Sequence, residues 1–169
     1  DQITGEAEDK DFADAIEVDG WQWGLKRDSA PPTQGERRGA TQVRHFTFSH
    51  AIDAASPQLM HRCATGAPVA KAVLTMRRAG GAALRYLEAT FNNVVIIEVS
   101  TGLPAGAETA IESVSFAFES VIYDYTPQSR KGQERGGKLI LTVPCNDEPV
   151  SFEVERYPYS SISDYVIVR

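Results

Sequence analysis

Hydrophobic positions along this chain recur mostly at every second residue. From Glu112 to Glu119, Val114, Phe116 and Phe118 fall on one side of an extended backbone. Ser113, Ser115, Ala117 and Glu119 fall on the other. Such alternation marks a strand with one face on a core and the other in water. Beyond Ser120 the pattern shifts, and Val121, Ile122, Tyr123 and Tyr125 put bulk on both faces. A bend, a bulge or an interface would each produce that. Thr126-Pro127 ends the run, because proline has no N–H to give a ladder.

The same period appears elsewhere. Ala15 to Lys26 reads as strand material, with a turn or bulge at Gly20 and with Trp21 and Trp23 on one face. Val43 to Ser49, Val69 to Arg77 and Leu84 to Phe91 alternate in the same way. Asn92-Asn93 reads as a tight turn. Val94 to Val99 is almost continuously apolar and β-branched, which predicts a strand covered on both faces. Lys138 to Val143, Val150 to Glu155 and Asp164 to Val168 are further strand candidates. One helix is predicted. Ser56-Pro57 opens it, Leu59, Met60 and Cys63 give it an apolar side, and Gly66 stops it. About eight to ten strands, one short helix and no βαβ alternation predict a mainly β fold. The architecture is an antiparallel β-barrel or pair of packed sheets with one short flanking α-helix.

Two stretches break the pattern. Asp1 to Asp14 is acidic and reads as a solvated loop. Arg27 to Gln42 carries Ser29-Ala-Pro-Pro32, Gly35 and Gly39, a density of breakers that predicts a long loop. It is locally basic, with Arg27, Arg37 and Arg38 against Asp28 and Glu36. Gln128 to Gly137 is a second basic turn.

Length and charge narrow the function. The 169 residues are most simply one domain with a real core. A net charge of -6 argues against a general nucleic-acid binder. No apolar run is long enough to cross a bilayer as a helix, so membrane insertion is not predicted. Cys63 and Cys145 show no framework spacing and read as free thiols, although a pairing is open. The first residue is aspartate rather than methionine, so the natural N-terminus is expected to lie upstream.

No catalytic constellation is legible. His45, His50 and His61 lack metal-ligand spacing, so no metal or cofactor is predicted. Cys63 lies on the apolar side of the helix and reads as an inert thiol. No nucleophile elbow, phosphate loop or dinucleotide fingerprint occurs. The chain does not read as an enzyme.

Several segments, taken in order, resemble a known family. They are Ile3-Thr-Gly-Glu6, Ile16 to Gly24, Asp53 to Leu59, Cys63-Ala-Thr-Gly66, Ala72 to Gly80, Glu112 to Glu119 and Tyr125-Thr-Pro-Gln128. Their sequence and composition resemble the haemolysin-coregulated protein (Hcp) family of bacterial type VI secretion, over residues 1 to about 137. The resemblance implies a small β-barrel with one flanking helix. It implies that copies form hexameric rings that stack into the expelled inner tube of a contractile machine. The implied partners are the chain's own copies, a spike protein, a contractile sheath and secreted effectors carried in the lumen. Assembly in the bacterial cytoplasm followed by secretion is implied too. Two departures stand out. The strand that normally precedes Ile3 is missing, and residues 138–169 depart from the family ending, as an extra hairpin or docking element would.

A tube subunit needs one patch to meet a different patch on the next copy. The mixed-face residues Val121, Tyr123 and Tyr125 are the candidate ring interface, together with Val94 to Val99. Arg27, Asp28, Arg37 and Arg38 are the candidate ring-stacking loop, reaching the acids of Asp1 to Asp14 on a neighbouring ring. The competing readings are a secreted β-sandwich that binds a sugar or apolar ligand on Trp21 and Trp23, and a hydrolase built round a buried, perturbed histidine, cysteine or acid.

Overall fold

The computed structural model describes residues 2–27, 41–78, 85–127, 138–145 and 151–155. Among them are ten strands and one α-helix, in the order β1 (Gly20–Gln22), β2 (Leu25–Arg27), β3 (Thr41–Val43), β4 (Phe46–Ala51), α1 (Ser56–Thr65), β5 (Val69–Arg77), β6 (Arg85–Gly102), β7 (Ile111–Ala117), β8 (Ser120–Tyr125), β9 (Lys138–Pro144) and β10 (Ser151–Glu155). The mainly antiparallel β expectation holds. An eight-stranded sheet has the path β1-β4-β7-β6-β8-β9-β10 with β5 also on β6, and β2 and β3 form a separate pair. The chain divides into two compact units, residues 1–70 with 93–118 and residues 71–92 with 119–169.

The first unit is built on the alternation of β7. Its core face carries three cross-strand rows, set by the register of β4, β7 and β6: Phe46–Phe116–Ile96, Phe48–Val114–Val99 and His50–Glu112–Thr101. Phe46 and Phe116 stack with centroids 5.0 Å apart at 28°. Trp21, opposite Phe48 on β1, stacks on Phe46 at 5.9 Å and 13°. Val114 is fully buried, and Phe46, Phe116 and Phe48 nearly so. Helix α1 follows with Leu59 buried. Gly66 ends it at φ 64°, where a side chain would be strained, and its amide bonds the Arg62 carbonyl.

The second unit pairs β8 with the first part of β6 and with β9, and β10 with β9. Its buried row is Phe91–Val121–Val143. In the tail, Lys138–Pro144 and Ser151–Glu155 pair antiparallel.

Several expectations change. Asn92-Asn93 is not a turn, since β6 runs through it for 18 residues. The asparagines instead fall where β6 changes partner from β8 to β7. Asn93 sits at φ 54°, the Asn92 carbonyl accepts from the Glu119 amide, and the Asn92 side chain bonds Ser120. The facing run from Glu112 to Tyr125 breaks at Phe118–Glu119 into β7 and β8, which is the bend its shift in pattern allowed. Ile16 to Val18 lie outside any ladder, and Gly20 begins β1 instead of turning the chain. The ends of the Arg27–Gln42 loop are ladder, because Leu25–Arg27 pairs with Thr41–Val43. Met60, expected on the apolar side of the helix with Leu59, is 43% exposed. Asp164 to Val168 lies outside the described residues.

Candidate functional site

The predicted ring-interface residues lie on the core-facing side of β8. Val121 is opposite Phe91 and Val143, Tyr123 is opposite Ala89 and Leu141, and Tyr125 is opposite Leu87 and Leu139. Val121 is fully buried within its own chain and has no surface to offer a neighbour. Tyr123 is half-buried, and desolvation, with Tyr86 and Tyr125 nearby, pushes its phenol up from the ordinary tyrosine value. Tyr125 is 38% exposed. The three share one side of the strand, and their exposure rises from Val121 to Tyr125. Of the predicted stacking residues, Arg27 is exposed on β2, and Asp28, Arg37 and Arg38 lie outside the described residues.

Apolar side chains that the chain leaves uncovered occur in both units. In the first, Ile97 sits where the β6–β7 register shifts between Ile96 and Glu98. A bulge leaves one residue unpaired and re-aims its side chain. Ile52, Leu103 and Ile111 are also exposed there, around the end of the β6–β7 hairpin, where Ile111 pairs with Ala51 and Gly102. In the second unit Val73, on β5, and Ile122 and Tyr125, on opposite faces of β8, are exposed.

The face of the first unit turned away from its core is quite different. Register places Gly20–Ser49–Ser113–Ser100 in one row and Gln22–Thr47–Ser115–Glu98 in the next. The Thr47 and Ser115 hydroxyls are hydrogen-bonded to each other at 2.8 Å. Small hydroxyls dominate, with a single charge and no aromatic ring in the two rows.

The surprise is polar and buried. His50 Nε2 lies 3.1 Å from Glu112 Oε1, and both residues are fully buried. On the other side of the ring, Nδ1 is 3.7 Å from Asp53 Oδ1. The other Glu112 oxygen, Oε2, has no hydrogen-bond partner. The same alternation that placed Val114, Phe116 and Phe118 inside puts Glu112 on their side, so this burial was readable. His45 and His61 are exposed, and no cluster of three metal-ligating residues occurs among the described residues. Cys63 and Cys145 are both free.

The two tryptophans do not make an open platform. Trp21 stacks on Phe46, and Trp23 tilts against Phe118 with centroids 6.3 Å apart.

A family profile described as "Type VI secretion system effector, Hcp" matches residues 1–125. The "Protein hcp1" of Pseudomonas aeruginosa is 36% identical over 139 residues, covering 81% of this chain and 86% of that protein. The chain belongs to the Hcp family. It is therefore a type VI secretion protein of the tube and effector class, structural in kind, and Hcp proteins are secreted by that system. Solved structures agree on the Hcp fold. A type six secretion system protein superposes with a TM-score of 0.80 at 23% identity, over 89% of this chain and 95% of its own. The Hcp1 of Salmonella typhimurium gives 0.65 at 31% identity, over 84% and 87%.

Proposed function

We propose that this Hcp protein is the tube subunit itself: copies close into hexameric rings, rings stack end to end, and the tube carries effectors in its lumen. It assembles in the bacterial cytoplasm beside a sheath and under a spike before it is expelled. One observation above all supports ring formation. The two units expose different apolar sets, Ile97 with its bulge on one and Val73, Ile122 and Tyr125 on the other. A ring that closes head to tail needs two unlike patches on each protomer. Tyr125 thus remains an interface residue in this reading, while Val121 holds its strand from inside.

The lumen wall fits the hydroxylated rows from Gly20 to Ser100 and from Gln22 to Glu98. Short hydroxyls hydrate well and offer little apolar area on which cargo would stick. Stacking is assigned to the Arg27–Gln42 segment. Each exposed ion pair it could make with a neighbouring ring contributes only about 0 to 1 kcal/mol, but every protomer repeats it. Deletion of residues 29–38 tests this division. Rings should persist in negative-stain images and end-to-end tubes should vanish. Loss of the rings would refute it.

A further inference from the structure

His50 and Glu112 are a buried polar pair facing each other across β4 and β7. We propose that Glu112, His50 and Asp53 form a proton-dependent latch that ties the turn before α1, and the N-terminal segment lying on that turn, to the β4–β7 strand pair.

A neutral imidazole has one N–H and one lone pair, so it can donate to only one carboxylate. His50 has a carboxylate oxygen at each nitrogen, Glu112 at 3.1 Å and Asp53 at 3.7 Å. Nδ1 has no hydrogen-bond partner and lies within ion-pair range of Asp53 Oδ1, so only the imidazolium attracts both carboxylates. Among the described residues, the charged groups within ion-pair distance of it are both acidic. Glu112 comes from β7 and Asp53 from the turn. Glu6, in the N-terminal segment, accepts the Ala54 amide at 3.1 Å. Asp19, ahead of β1, bonds the Ser49 carbonyl through its own amide. Across β7, the β6 partner of Glu112 is the uncharged Thr101. No lysine or arginine is among these residues. A neutral imidazole gives up the ion-pair attraction to both carboxylates, and the buried Glu112 Oε2 has no hydrogen-bond partner to offset the loss.

What the latch holds is also visible. Asp53 Oδ1 accepts the Ala55 amide at 2.9 Å, and the Asp53 amide bonds Ser56 Oγ at 3.2 Å. A Cβ built on Gly5 would fall 2.7 Å from Asp53 Oδ2, so the N-terminal segment lies directly on this carboxylate. Gln58 carries the same segment onto α1 by donating to the Thr4 carbonyl at 3.3 Å. A change of charge at His50 therefore reaches the helix start and the N-terminal segment through Asp53.

The latch is a property of the single chain and stands apart from ring formation. The test is amide exchange and urea unfolding of the full chain, carried from about pH 5 to about pH 9, the span in which an imidazole changes charge. His50→Gln, His50→Lys and Glu112→Gln accompany the wild type. After correction for intrinsic exchange, the wild-type amides of Asp53, Ala54 and Ala55 should open about tenfold more often on the alkaline side, and the urea midpoint should fall. His50→Lys keeps a cation and Glu112→Gln removes the buried anion, so both profiles should be flat over that range. His50→Gln should be flat as well, with the turn open throughout. If His50→Gln does not fold, the other two variants decide. A wild type without pH dependence, or variants that retain its profile, would overturn the latch.

Discussion

Truncating Phe116 to alanine probes the reasoning that built the first unit. The ring is 4% exposed and sits in the middle of the core face. It stacks on Phe46 at 5.0 Å and meets Phe48 and Phe118 edge-on at 6.5 and 6.2 Å. Removing a buried phenylalanine ring costs about 3–5 kcal/mol, since the lost transfer energy is joined by a cavity that rigid neighbours cannot fill. Three ring contacts, each worth about 0.5–1.5 kcal/mol beyond area, place Phe116 in the upper half of that range. Ile97→Ala is the control. Ile97 is 41% exposed, so within one chain its loss should be about 0.5 kcal/mol or less. Urea unfolding at low protein concentration, where association adds little apparent stability, reads both. Trp21 reports the event by leaving the face of Phe46. A Phe116→Ala midpoint that shifts no further than the Ile97→Ala midpoint would refute the assignment of core and surface along β6 and β7.

Two other outcomes follow from local geometry. Gly5→Ala should loosen the N-terminal segment at a cost of about 1–3 kcal/mol, because the new Cβ would fall 2.5 Å from the backbone oxygen of Ala15. Faster amide exchange at Gly5 and Ala7, which bond Asp14 and Ala15, is the check. Desolvation pushes the Cys145 thiol up from its ordinary value, so less of it is thiolate at neutral pH. Its alkylation-rate profile should be displaced to the alkaline side of that of a free cysteine peptide.

Much of the fold was legible because alternation is a direct record of which face is dry. β5 was read to its residue bounds, and α1 from Ser56-Pro57 and Gly66, since proline at a first turn and glycine in the left-handed region leave a local signature. Asn92-Asn93 misled because a left-handed asparagine also occurs inside a strand, here where β6 passes from β8 to β7, and only the pairing tells that from a reversal. Val121 misled for a related reason. When both faces of a strand carry bulk, sequence does not tell which face is inside, and the pairing with Phe91 and Val143 does. Glu112 and His50 were missed by reading residue type over position. Their parity along β7 and β4 already placed them with Val114 and Phe48.

In the proposed function this Hcp chain fits copies of itself. Native mass spectrometry of the purified full chain measures that directly. A dominant closed hexamer, with multiples of it at higher concentration, is the predicted spectrum. A chain that stays monomeric at every concentration up to its solubility limit would contradict it.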